Sequence, residues 1–348
     1  MPLSAAEFSD DWIAVVRDTP YADSQGVASN LTTIRSWVLF SESYCANPQR
    51  HILFDHRGRF LGYIENAATP ADTISLLNNT RESMHAENRV SFWSPGAIAE
   101  AGFPLALACD QPFFDLDESI ARVIGSREEY LLWGTWDNIT VGSEDEQVSL
   151  ISLIRTVYQQ RRQQNRFTFS DRVIPGLLGK VIIESGAVPE ALSSQNARGI
   201  MQLSPEVLED CEIPDAFRLH RIAQVDCALR LMEQNHRNLQ PPFNQLFAHL
   251  PETKRERLYN LLLSQAYQIG IGRVTELLNG EILGQAASYF SANHARFSAE
   301  DILVGIIFHN LGRRDIGLRT LYYVTDIRLA QNALCDTTVM QEDPWCIL

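Results

Sequence analysis

Apolar residues follow two different rhythms along this chain, and the change comes near residue 146. Before it, short apolar runs are punctuated by turn residues. Residues 51–55 and 60–64 flank a turn containing Gly58, which predicts a β-hairpin. Residues 36–41 and 130–136 read as further short strands. Residues 70–87 open on Pro70 and carry Ile74, Leu76 and Leu77, which predicts a helix. After residue 146 the period becomes helical. Val148, Leu150, Ile151, Leu153, Ile154 and Val157 form an apolar stripe that ends in the polar run 159–166. Further helices are expected at 173–184, 205–210, 222–239, 251–269, 273–278, 299–310 and 316–330. The pattern predicts an α+β protein of two domains: residues 1–140 mixed α+β, residues 141–348 all-helical. There is no internal repeat.

A length of 348 residues agrees with two domains, and 45% hydrophobic residues supply enough apolar material for their cores. The formal net charge of −14 argues against a nucleic-acid partner, which needs basic patches. Residues 1–140 hold 9 Lys/Arg against 19 Asp/Glu, so this region is no obvious docking surface for an anionic polymer. No run reaches the 18 or so apolar residues of a membrane helix. The N-terminal residues lack the basic and apolar segments of a Sec-type signal peptide. The six cysteines show no metal-binding spacing, and no close histidine pair indicates a metal. Cys211 with Cys227, and Cys335 with Cys346, are near enough in sequence for two local disulfides. The alternative is six free, buried thiols.

The candidate chemistry centres on Glu184, which closes the apolar run Leu177-Leu178-Gly179-Lys180-Val181-Ile182-Ile183. A low-dielectric setting disfavours the charged form of a carboxyl group. A carboxylic acid still protonated near neutrality is what glycosidic cleavage needs as its general acid. Glu184-Ser185 is followed by Pro189, Ala191 and Ser193, then by Ala197, Gly199-Ile200-Met201-Gln202-Leu203 and Pro205. In the family that this composite resembles a glycine is usual where Asn196 stands, and Asn is the non-glycine residue most tolerant of positive φ.

This composite resembles the lytic transglycosylase family (SLT, goose-type lysozyme-like). Two later blocks strengthen the likeness. Ala266-Tyr267-Gln268-Ile269-Gly270-Ile271-Gly272 is similar to the family's A-Y-N-x-G-x-G, with Gln268 in place of Asn. Thr320-Leu321-Tyr322-Tyr323-Val324 is similar to its T-R-N-Y-V. The resemblance covers residues of about 145–330 and leaves the N-terminal region unmatched.

The resemblance implies a lysozyme-like catalytic domain with Glu184 as the sole acid/base. It implies Ser185, Ser193, Met201, Gln202, Tyr267, Gln268 and Tyr323 as substrate-binding residues, and no metal or organic cofactor. It also implies peptidoglycan glycan strands as substrate, cut between N-acetylmuramic acid and N-acetylglucosamine to leave 1,6-anhydro ends. The wall lies outside the cytoplasm, so the missing signal leaves room for a secretion-system or immunity-protein partner. The alternatives are a lysozyme- or chitinase-like hydrolase, or a catalytically weakened glycan-binding module of a secretion or phage assembly.

Overall fold

The computed structural model describes residues 11–98, 100–111 and 115–346; residues 1–10, read above for a signal peptide, lie outside them. The chain is mixed helix and sheet, 56% helical with small antiparallel sheets. Its internal contacts define two compact units, neither continuous in sequence. The first takes in Met1–Phe113, Gln245–Leu261 and Arg273–Thr325, and the second Phe114–Asn244, Leu262–Gly272 and Asp326–Leu348. This differs from the expected linear division at residue 140. The change of rhythm near 146 reports local secondary structure; it does not report which core a segment joins.

The first unit begins with α1 (Trp12–Arg17), α2 (Val27–Leu39), the hairpin β1 (Arg50–Phe54) and β2 (Phe60–Glu65), α3 (Pro70–Ala86) and β3 (Leu105–Ala108). The three strands form one antiparallel sheet in the order β2-β1-β3. The predicted hairpin turn forms because the Asp55 carboxylate accepts from the amides of Arg57 and Arg59, both at 2.9 Å, while Gly58 supplies φ +70°. In α3, Thr69 caps the amide of Asp72, and Leu77 and Met84 pack on Leu53 and Ile64 of the sheet. The strand expected at 36–41 is instead mostly the last turn of α2. Leu31, Ile34, Arg35, Val38 and Leu39 are buried at helical spacing, so the helix face wins over the local β propensity of Trp37 and Val38. Among the described residues the two Cys of the first unit, Cys45 and Cys109, form a disulfide that joins the loop before β1 to the end of β3.

The second unit follows with α4 (Leu116–Ile124), the ribbon β4 (Gly134–Trp136) and β5 (Ile139–Val141), α5 (Leu150–Gln163), α6 (Ile174–Ser185), α7 (Pro205–Asp210) and α8 (Arg221–Phe247). The ribbon means that this unit is not wholly helical, and its strand near 130–136 was expected in the other domain. Helix α8 runs on through Pro241 and Pro242, past the expected end at 239. Leu239, Phe243 and Phe247 continue its buried stripe, and that burial outweighs the roughly 3 kcal/mol a proline costs inside a helix. A buried ion pair ties α5 to α8: the Arg161 guanidinium donates to both Asp226 oxygens at 2.7 and 2.8 Å.

The chain closes with α9 (Glu252–Ile269), α10 (Ile271–Asn279), α11 (Gln285–Ala292), α12 (Ala299–Phe308) and α13 (Leu318–Cys335). In the first unit, α12 is buried along its whole length and opens on a Ser298/Asp301 capping box. In the second, Gly179 of α6 meets the backbone of α13, where a Cβ would lie 2.3 Å from the Ile327 carbonyl oxygen. Cys211–Cys227 and Cys335–Cys346 pair as the sequence spacing allowed. All six cysteines are disulfide-bonded. No helix among the described residues is long and apolar enough to cross a membrane.

Candidate active site

Glu184 stands in the last turn of α6 and is half-buried. The helix is delivered by its own apolar face: Leu177, Leu178, Val181 and Ile182 are buried, and Pro175 sits in the first turn, where its missing N–H costs nothing. It stops at Gly186, which adopts φ +59° and returns its amide to the carbonyls of Val181 and Ile182. The Gly186 carbonyl in turn accepts from the Arg122 guanidinium of α4 at 3.1 Å. A segment from the N-terminal 140 residues therefore buttresses the end of the candidate catalytic helix.

The loop after α6 is held by side chains that the motif supplies. The Ser185 hydroxyl reaches the carbonyl of Ile200 at 2.8 Å and accepts from the amide of Ala187. Ser193 accepts from the amides of Gln195 and Ala197, closing a tight turn. Asn196 has φ +63°, as its replacement of glycine predicted. The Gln202 amide donates to the carbonyls of Ala191 and Gly199. Met201 is fully buried, so its thioether packs in the core, away from any cleft surface. Gln224, unnoticed in the sequence, is the hub beneath this loop. Its side chain accepts from the amide of Met201 and donates to the carbonyls of Arg198 and Arg218. Gly199 is obligatory here: it holds φ +69°, and a Cβ would lie 2.0 Å from the Gln224 amide nitrogen.

The second motif block joins the same site. The Tyr267 hydroxyl donates to the carbonyl of Met201 at 2.9 Å, locking α9 to the loop. Burial, and then the nearby Glu184 carboxylate, push that hydroxyl's pKa well above its ordinary value. The Gln268 carbonyl oxygen accepts from the Gln265 amide at 2.6 Å. Lys180, one helical turn before Glu184, places its Nζ over the Tyr267 ring. That nitrogen is buried and has no hydrogen-bond partner among the described residues. Burial pushes its pKa well below the usual lysine range, with Glu184 opposing the shift.

Glu184, Ser185, Ser193, Met201, Gln202, Tyr267 and Gln268 thus come together in the second unit. Tyr322 and Tyr323 lie on α13 within the first unit, both nearly buried. Tyr322 meets Phe54 edge-on at 6.5 Å and lies under the Arg35 guanidinium at 5.3 Å.

The other acids close in sequence have different roles or are exposed. Glu190 is exposed and its charge reaches Arg221. Glu206 begins α7, where the Ser204 hydroxyl and its own backbone lower its pKa. Glu209 and Asp210 are exposed. Among the described residues no group of three His, Cys, Asp or Glu side chains is placed to hold a metal ion.

No family model, no curated protein and no solved structure matches this chain.

Proposed function

We propose that the chain is a peptidoglycan lytic transglycosylase, with the second unit as its lysozyme-like catalytic domain. The observation that carries this reading is a single carboxyl, Glu184, ending an apolar helix beside Tyr267, above a loop whose amides and hydroxyls lock the motif residues together. Glu184 protonates the glycosidic oxygen between N-acetylmuramic acid and N-acetylglucosamine. The substrate's own N-acetyl group stabilises the developing cation. Glu184 then takes the proton of the C6 hydroxyl, which closes the 1,6-anhydro ring. Water-using glycosidases pair their acid with a second carboxylate, about 6.5–9.5 Å away in inverting enzymes and closer in retaining ones. The sequence neighbours of Glu184 offer none in such a role. Three disulfides fit an oxidising compartment, as action on the wall requires.

A hydrolase or a weakened glycan-binding module is the second reading. It draws on Gln268, whose amide is engaged by Gln265 where the family pattern has a shorter Asn. Glu184→Gln separates enzyme from binder. It keeps the size and removes the proton chemistry, so lysis of purified sacculi should fall about 10²–10⁴-fold while the protein still folds. Equal lysis by wild type and variant would place the reaction elsewhere.

A further inference from the structure

Carboxylates outnumber cations in this chain, 43 Asp and Glu against 29 Lys and Arg, so an arginine without one is conspicuous. In the second unit Arg122, Arg155, Arg161 and Arg237 each meet a carboxylate within ion-pair distance. Arg198 does not, and it stands on the loop that follows Glu184. Among the described residues its guanidinium donates only to the neutral side-chain oxygen of Asn196, at 3.0 Å. The backbone of Arg218 is held beside that of Arg198, because the Gln224 amide nitrogen donates to both carbonyls, at 3.2 and 2.6 Å. Arg218 has one carboxylate, Asp215, at 2.6 Å, but that side chain is 87% exposed, and an exposed ion pair is weak. The Nε of each arginine is shielded from solvent and donates to nothing among the described residues. The protein therefore leaves both cations with donors to spare.

The loop that carries Arg198 is tied to the candidate acid: the Ser185 hydroxyl, next to Glu184, reaches the carbonyl of Ile200, two residues beyond Arg198, at 2.8 Å. A planar carboxylate is the acceptor that a guanidinium fits, through two parallel N–H bonds. We propose that Arg198 and Arg218 bind a carboxylate of the substrate, so that the site selects a glycan strand with acidic substituents over a neutral one. The proposal rests on reading Glu184 as the acid/base of a glycan-cleaving site, and it deepens that reading. A polymer of N-acetylglucosamine alone has no carboxylate. N-acetylmuramic acid carries one on its lactyl group, either free or extended by a peptide that bears its own carboxylates. The two arginines thus separate the wall polymer from chitin, which a lone carboxyl at Glu184 does not. The net charge of −14 sharpens the choice, because an anionic strand is repelled by most of the surface and drawn to cations left unpaired.

Calorimetry on the full chain tests this, with Glu184→Gln as a host that binds without cutting. Three tetrasaccharides are compared. One is the neutral N-acetylglucosamine tetramer. The second alternates N-acetylglucosamine with N-acetylmuramic acid and has free lactyl groups; the third is the same strand with its peptide stems. An acidic probe should bind about tenfold or more tighter than the neutral one. Which acidic probe does so shows whether the lactyl or the peptide carboxylate is held. Adding Arg198→Gln or Arg218→Gln to the host should remove the advantage and leave the Kd of the neutral probe little changed. Arg198→Lys, which keeps the charge and loses the fork, should retain part of it. Raising the salt from about 0.05 to about 0.5 M should shrink the advantage in the host itself, with no arginine replaced.

A packing role for the arginines predicts neither the preference nor its salt dependence. Acidic probes that bind no more tightly than the neutral one overturn the proposal and leave the glycan-cleaving reading of Glu184 standing. A preference that persists in both glutamine variants also overturns it, since another cation then carries the recognition. A folded host that binds none of the three removes the functional reading, and the role assigned to the arginines falls with it.

Discussion

The loop after Glu184 rests on one steric fact, and a double-mutant cycle exposes it. Gly199→Ala adds a methyl group at φ +69°, a backbone region that costs a residue with a Cβ about 1–2 kcal/mol. The methyl also lands 2.0–2.5 Å from three atoms of the Gln224 amide. Gln224 cannot swing aside freely, because its amide holds the Met201 N–H and the carbonyls of Arg198 and Arg218. Displacing it forfeits three buried hydrogen bonds, at about 0.5–1.5 kcal/mol each. Gly199→Ala should therefore lose roughly 3–6 kcal/mol in urea unfolding. Gln224→Ala removes the obstacle and the hydrogen bonds together, at about 2–4 kcal/mol. In that background Gly199→Ala should cost only the backbone term, about 1–2 kcal/mol. The cycle thus predicts a coupling of roughly 2–4 kcal/mol. Costs that add within about 0.5 kcal/mol would refute the clash, and with it the idea that Gln224 supports the Met201–Gln202 segment.

Two further predictions concern stability. Because burial lowers the Lys180 pKa, the unfolded chain holds one more proton than the folded one at pH values between the two. Stability should therefore rise with pH, by up to about 1.4 kcal/mol per unit, until the ordinary lysine value near 10 is reached. Lys180→Met should remove that slope, so stability curves of the two proteins that run parallel from pH 7 to 9 contradict it. The scan stops there because Tyr267, held protonated in the folded state, adds a slope of the opposite sign above about pH 10. Cys45 and Cys109 close a loop of 64 residues, so replacing both by Ala should cost about 4 kcal/mol in the chain-entropy account. A loss below about 1 kcal/mol would show that the loop is already ordered in the unfolded chain.

Much of the second unit was legible in the sequence, because its helices carry long apolar stripes and the loop after Glu184 carries residues with fixed backbone demands. Asn196 was readable as a left-handed position, and Pro205 opened α7 where expected; the left-handed backbone of Gly199 was not read. What escaped was tertiary. Met201, read as a cleft residue by resemblance, is buried, because its neighbours Gln202 and Ser185 tie the loop inward. Arg122 and α4 lie far upstream in sequence, and only folding brings Arg122 to Gly186, so a division at residue 140 would cut away part of the site's support. The end of α8 was misplaced because a local rule about proline competes with burial that the local sequence does not display. Lys180 left one signal, a lysine inside an apolar run in a chain with only one other lysine, Lys254.

The central claim is that one carboxyl does the work of two and that the attacking group belongs to the substrate. Digestion of purified sacculi in ¹⁸O-water, followed by mass spectrometry of the released muropeptides, tests it most directly. Wild-type protein should release 1,6-anhydromuramyl ends that carry no label, and Glu184→Gln should release almost none. Labelled reducing ends as the main product would mean that water attacks, that a second carboxylate serves as base or nucleophile, and that the single-acid account is wrong.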